Sequence, residues 1–210
     1  MIKVLVADDH AVVRRGLRQI LAETSDVIVG GEAESAAELW KLVGQERWDA
    51  VILDINVPGR SGLEVLGDLK REYPKLPVLI LTVHSEDQYA IRALRAGAAG
   101  FLTKESAPAR LLEAVRKVAS GGRFVTPEVA ERLAASAAGE AEGQPHDLLS
   151  DRELQVLCMI ASGKTVSQIG QELSLSVKTI STHRARILKK MNLKSNSELT
   201  HYAIRNKLVE

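Results

Sequence analysis

Asp8 and Asp9 follow one short apolar run, Ile2-Lys3-Val4-Leu5-Val6-Ala7, and Asp54 follows another, Ala50-Val51-Ile52-Leu53. Carboxylates gathered at one mouth repel each other, so such a cluster serves to hold a hard divalent cation. A carboxylate such as Asp54 can also attack phosphorus to give an acyl phosphate, provided a cation neutralises the incoming charge. Asp9 and Asp54 would supply two direct oxygen ligands, the backbone carbonyl of Asn56 a third, and Asp8 a contact through water. An incomplete cage of this kind suits Mg²⁺, which keeps several waters. Thr82 ends a further apolar run, and Lys104 follows another. Lys104 can pair with a phosphate oxygen, and the Thr82 hydroxyl can donate to a second. Those contacts form only when phosphate is present, which makes a ligand-driven switch, with Phe101 repacking beside Thr82. Taken singly, each residue has a plainer reading: a strand-end Asp as a cap or turn residue, Thr82 and Lys104 as cap or solvated surface, Phe101 as core. Their joint occurrence at the ends of four strands favours the chemistry.

The elements that must position these residues alternate strictly. Strand-like runs cover 2–7, 27–31, 50–53, 78–82 and 99–103. Amphipathic helical stretches cover 11–23, 35–46, 62–72, 86–96 and 107–120. This order predicts an α/β doubly wound, five-stranded parallel sheet of the flavodoxin-like kind, with its ligand mouth at the carboxyl ends of the strands. Ser35 and Ser61 are expected N-caps, Gly97 a helix stop, and Pro58-Gly59 a tight turn. Ser106 and Pro108 open the fifth helix. Gly121-Gly122 closes this first domain, 1–121. Residues 122–147 read as a linker, with a helix over 127–137 started by Thr126-Pro127 and a flexible tether over 139–145. Residues 148–210 hold helical patterns only, at 151–162, 166–173, 177–191 and 196–206, and predict a small all-α four-helix domain. Ser150 and Glu153 form a capping box at its start, and Gly163 stops the first helix.

Composition narrows the field. Aromatic residues make up only 3% of the chain, so Leu, Val, Ile and Ala must fill its cores. The single cysteine, Cys158, excludes an internal disulfide framework and reads as a small buried hydrophobe in a reducing, cytoplasmic protein. No basic region precedes a long apolar segment, so no signal peptide is expected, and no run approaches membrane-spanning length. Residues 147–210 carry ten Lys or Arg against six Asp or Glu, a balance of +4, whereas the rest of the chain nets −3. An acidic front and a basic back imply different partners.

The basic charge concentrates on the stretch 177–191. Ile180, Ile187, Leu188 and Met191 share one apolar face at helical spacing. Lys178, Ser181, Thr182, Arg184, Ala185, Arg186 and Lys189 lie opposite, with Thr179 and His183 beside them. A short helix, a turn and a longer basic helix is the helix-turn-helix plan. Lys and Arg would neutralise phosphates, and the small residues would allow close approach to base edges. A solvated basic helix is the plainer reading of such a stretch taken alone; the chain order argues against it.

Residues 1–121 resemble the receiver domain of bacterial two-component response regulators, on Val6-Ala-Asp-Asp-His10, Leu53-Asp-Ile-Asn-Val-Pro-Gly59, Leu81-Thr82 and Gly100-Phe-Leu-Thr-Lys104. Residues 148–210 resemble the LuxR-type DNA-binding domain, on Leu149-Ser-Asp-Arg-Glu153, Ile169-Gly-Gln-Glu-Leu173, Ser176-Val-Lys-Thr-Ile-Ser-Thr-His183 and Leu188-Lys-Lys-Met-Asn-Leu193. Together they resemble the NarL/FixJ family. The resemblance implies Mg²⁺-dependent transfer from a phosphohistidine of a sensor histidine kinase to Asp54, slow self-dephosphorylation, and an aromatic switch at Phe101, where Tyr is common elsewhere. It also implies binding to double-stranded promoter DNA as a homodimer through the last helix. Gly170 departs from the usual Ala and should loosen the short helix. Two other readings stand beside this one: a small-molecule phosphatase, disfavoured by Asn56 where a second Asp would be expected, and a constitutive DNA-binding dimer whose receiver does not switch.

Overall fold

The computed structural model describes residues 1–58, 60–83, 86–137, 144–206 and 208–209, with side chains not described at 86–88, 136 and 137. The expected tether over 139–145 and the glycine of the Pro58-Gly59 turn fall largely outside the described residues. The chain divides into two compact units, Met1–Ala134 and Ala135–Glu210.

The first unit runs β1 (Ile2–Ala7), α1 (Ala11–Leu21), β2 (Val27–Ala33), α2 (Ala36–Gln45), β3 (Ala50–Leu53), β4 (Asn56–Val57), β5 (Arg60–Ser61), α3 (Gly62–Glu72), β6 (Val78–Thr82), α4 (Glu86–Arg95), β7 (Gly100–Thr103), α5 (Ala107–Ala119) and most of α6 (Pro127–Ala137), within which the division falls. Five strands form one parallel sheet in the order β2-β1-β3-β6-β7. Strand order reverses beside β1, so the mouth between β1 and β3 is the switch point where such sheets bind ligands. β3 and β6 are buried along their whole length, as strands covered on both faces must be. Alternate residues Val4 and Val6, Ala50 and Ile52, Leu79 and Leu81 share one core with Leu17 and Leu21 of α1 and Leu111, Val115 and Val118 of α5. By the same period of two, Phe101 and Leu102 point to opposite faces.

Three features depart from the sequence reading. β2 continues past the expected end at Gly31 to Ala33, because Gly30 is an extra residue at a register shift that lets the β1–β2 pairing resume. A β4–β5 hairpin follows Asp54, pairing Asn56 with Ser61 and Val57 with Arg60, and Arg60 reaches Asp68 of α3 at 2.7 Å. The first unit also extends past Gly121. The Phe124 N–H donates to the Ala99 carbonyl at 2.9 Å, and the Phe101 N–H donates to the Phe124 carbonyl at 3.2 Å. Gly100 permits this approach, since a Cβ there would stand 2.8 Å from the Phe124 carbonyl oxygen. Arg110 lies over the Phe124 ring, 4.9 Å from its centroid.

Helices make up the second unit: a 3₁₀ turn at Pro145–Leu148, then α7 (Asp151–Ala161), α8 (Val166–Glu172), α9 (Val177–Lys190) and α10 (Asn196–Arg205). α7 packs against α8, α9 and α10. Ser150, Thr165, Ser176 and Ser195 each cap the following helix by accepting from a backbone N–H three residues on. Each such cap contributes about 1 kcal/mol. Gly163 takes φ +85° where α7 stops. Among the described residues no helix is long and apolar enough to cross a membrane.

Gly62 places α3 directly on the chain that leaves β3. Its N–H donates to the Ile55 carbonyl at 2.7 Å. A Cβ there would stand 2.2 Å from the Asp54 carbonyl oxygen and 2.7 Å from Ile55 Cα. Both obstacles are backbone, so Gly62→Ala should cost about 1–3 kcal/mol. Urea unfolding of the two proteins measures this, and an unchanged midpoint would contradict the close approach.

Candidate functional site

Backbone bonds that continue past the strand ends hold the acidic residues together. The Asp8 N–H donates to the Ala33 carbonyl at 3.1 Å, the Asp54 N–H to the Ala7 carbonyl at 2.9 Å, and the Lys104 N–H to the Thr82 carbonyl at 2.7 Å. These bonds bring the ends of β1, β3, β6 and β7 to one mouth. Lys104 Nζ lies 2.7 Å from Asp54 Oδ2 and 2.6 Å from Asp8 Oδ2. Asp8 and Asp54 are each 2% exposed, and Thr82 is fully buried. Asp54 Oδ1 is buried with no hydrogen-bond partner. Asp9 is exposed, and Asn56, after Asp54, is half-buried at the start of β4.

The electrostatics follow from this burial. Loss of water pushes the Asp54 carboxyl above the ordinary carboxylate range; the Lys104 ammonium opposes that shift and the Asp8 charge adds to it. Burial alone would pull Lys104 down, but the pull of Asp54 and Asp8 outweighs it and holds the ammonium above its usual value. Ligand atoms of Asp8, Asp9, His10 and Asp54 all lie within 4.8 Å of one another. Converging carboxylates and a buried carboxylate oxygen that lacks a donor are compatible with a divalent cation. Phe101 is 2% exposed, so its ring is packed inward.

Arg14 was not singled out by sequence. It is buried on α1 with Leu17 and Leu21. Its NH1 donates to the Asp8 carbonyl at 2.7 Å, its Nε to Glu32 at 3.1 Å, and its NH2 pairs with Glu34. The signal was present: Arg14 occupies an apolar-face position, three residues before Leu17 and seven before Leu21, where a cation needs partners.

The second candidate surface is α9. Ile180 and Ile187 are fully buried and Met191 nearly so. Lys178, Ser181, Thr182, Ala185, Arg186 and Lys189 are exposed on the other side. The remaining expected residues are less open. Thr179 is half-buried, with its hydroxyl 2.8 Å from Ser176 Oγ at the cap. His183 is half-buried, and Arg184 donates through Nε to Asn196 Oδ1 at 2.6 Å, tying α9 to α10. Lys190 pairs with Glu153 of α7 at 2.6 Å. Between α8 and α9 the chain turns through Ser174 at φ +54°. Gly170 is buried beneath this turn, where a Cβ would stand 2.8 Å from the Leu175 carbonyl oxygen. The glycine expected to loosen α8 thus lets the turn close onto it.

Comparison with known proteins decides what these two surfaces belong to. The family described as response regulator receiver domain matches residues 4–116, and that of bacterial regulatory proteins, luxR family, matches residues 147–203. The chain belongs to the NarL/FixJ family of response regulators. Response regulator GacA of Pseudomonas syringae pv. syringae (strain B728a) is 39% identical over 211 residues, covering 100% of this chain and 99% of the relative. RcsB of Salmonella enterica serovar Typhimurium, solved on promoter rprA with the phosphomimetic BeF3⁻, is 26% identical with a TM-score of 0.66. That match covers 96% of this chain and 98% of RcsB. A structure of two RcsB dimers on two parallel DNAs is 27% identical with a TM-score of 0.59, covering 96% of each chain. This response regulator is thus a DNA-binding transcriptional regulator with a receiver.

A raised Asp54 pKa in the fold means that protonation favours the folded state, so the ionised group costs stability at neutral pH. Without divalent cation, Asp54→Asn should therefore unfold at a higher temperature than the unmodified protein at neutral pH. The gap should narrow as pH falls through the raised Asp54 pKa. Melting curves in chelator across pH test this; a less stable Asn variant at neutral pH would refute it.

Proposed function

We propose that Asp54 takes a phosphoryl group from a phosphohistidine of a sensor histidine kinase, and that the receiver so modified controls binding of α9 to promoter DNA. The observation that carries this reading is the buried Asp54, with one oxygen held by Lys104 and the other without a donor. In the transfer, the Asp54 oxygen attacks phosphorus, the phosphorus–nitrogen bond breaks, and the kinase imidazole leaves. Lys104 favours the ionised form of Asp54 before the transfer, against the effect of burial, and pairs with a phosphate oxygen after it. The Thr82 hydroxyl donates to another oxygen. Phe101 repacks beside Thr82, and its ring carries no hydroxyl that would need a partner. Asp9, Asp54 and the Asn56 carbonyl would hold Mg²⁺ directly, with Asp8 acting through water. When bound, that ion neutralises charge on the phosphoryl group and the carboxylates. The chain's only catalysis is then its own phosphorylation and dephosphorylation.

We assign the receiver's phosphoacceptor fold to residues 1–121, completed at its sheet edge by the Phe124 segment at the start of the 122–147 linker, and the DNA-binding domain to 148–210. On α9, the exposed Lys178, Arg186 and Lys189 are suited to phosphates, and the exposed Ser181, Thr182 and Ala185 to base edges in the major groove. Thr179, His183 and Arg184, less open, shape and brace this face and add contacts at its margin. A homodimer would place two copies of α9 on half-sites about one helical turn apart. RcsB, a solved relative, is found as two dimers bound to two parallel DNAs. Such a regulator works in the cytoplasm.

Mass spectrometry after treatment with acetyl phosphate and Mg²⁺ should show a single phosphate adduct, lost in Asp54→Ala; an adduct persisting in that variant would sink the assignment. Lys189→Ala should weaken binding on every DNA sequence and reduce the slope of log affinity against log salt by about 1. Thr182→Ala should instead alter sequence preference. Anisotropy titrations on several duplexes distinguish the two, and equal, uniform losses would overturn the groove assignment.

A further inference from the structure

His10 occupies the N-cap of α1, a position where a Ser, Thr, Asp or Asn side chain would accept a bond from the first turn. Its ring makes no such bond. The ring turns instead to the acidic pocket, with Nδ1 2.7 Å from Asp9 Oδ1 and 3.3 Å from Asp8 Oδ1. Its backbone N–H donates to Asp8 Oδ1 at 2.8 Å, which fixes the residue beside the carboxylates. The side chain itself is 64% exposed and has room to turn. A surface pair with Asp9 accounts for the nearer contact. It does not account for convergence within 4.8 Å of Asp54, whose Oδ1 is buried without a donor.

We propose that His10 is a nitrogen ligand of this pocket and shifts its preference from Mg²⁺ toward divalent transition ions such as Co²⁺, Ni²⁺ and Zn²⁺. The proposal rests on reading the pocket as a cation site. Mg²⁺ is a hard ion that prefers oxygen and keeps its waters, so it gains little from an imidazole. Transition ions bind imidazole well, and more tightly along the series from Mn²⁺ to Ni²⁺. An all-oxygen pocket would discriminate between the two classes less strongly. His10 therefore sets which ion fills the pocket when both are present.

The test is calorimetric titration of the full chain with NiCl2 and, separately, with MgCl2, comparing the unmodified protein with His10→Phe and His10→Asn. Asn can cap α1 but offers no imidazole. Each protein is also titrated in an Asp54→Ala background, which separates this pocket from the four other histidines of the chain. Both His10 variants should raise the Ni²⁺ dissociation constant about tenfold or more, with Mg²⁺ affinity within about twofold. The His10-dependent part of Ni²⁺ binding should vanish with Asp54→Ala. Unchanged Ni²⁺ affinity, or parallel losses for both ions, would overturn the role of His10 and leave the cation site standing. Failure of the unmodified protein to bind Mg²⁺ would overturn the site itself, and this proposal with it.

Discussion

One ammonium group holds the receiver's active end together. Lys104 sits within hydrogen-bond reach of two carboxylates, Asp54 and Asp8, that are both 2% exposed. Two buried carboxylates side by side would be strongly unfavourable without it. The sheet order, the crossover helices and the ladder bonds that run past each strand end serve to bring that lysine, from the last strand, to acids from the first and third. The arrangement is poised rather than fully satisfied. Asp54 remains costly as an anion, and one of its oxygens has no donor. A site in that condition responds to any ligand that brings positive charge or takes over the lysine.

Most of this architecture was legible in the residues. Short β-branched runs ending in Asp54, Thr82 and Lys104 announce buried parallel strands, because such runs are too short for helices. The Ser150 capping box and Gly163 bound α7 through local chemistry that needs no tertiary context. What escaped was set by contacts distant in sequence. The strand expected over 27–31 runs on to Ala33, because Gly30 bulges out of the pairing and keeps β2 in register with β1 while Trp48 packs over it; a Cβ at Gly31 would stand 2.8 Å from that ring. The β4–β5 hairpin has only two residues per strand, below what alternation can signal. Arg14 carried a legible anomaly, a cation on an apolar face, but its partners are Glu32 and Glu34, distant in sequence, and the Asp8 backbone carbonyl, which no side-chain pattern reveals.

The second unit shows the same division. The two faces of α9 follow from spacing alone, and the buried isoleucines lie where the period of 3.6 puts them. Spacing could not tell which polar residues are already engaged. Thr179 is spent on a cap and Arg184 on Asn196, so the surface open to a partner is narrower than the list of polar residues on the helix. This matters for specificity, because a guanidinium held by a neighbouring helix is aimed rather than free.

The Phe124 segment carries a consequence for the receiver as a separate piece. β7 is the last strand of the sheet, and the Phe124 backbone takes up part of its outer edge under the Arg110 guanidinium. An uncovered edge strand is a template for pairing with other chains. A receiver severed after Gly121 loses this cover while keeping every residue of the acidic pocket. Its chemistry would survive, but its solubility would not: the bared edge would recruit strands from neighbouring molecules. The working length of the phosphoacceptor module is therefore set by the hydrogen-bonding needs of a sheet margin, several residues beyond the last helix that packs on it.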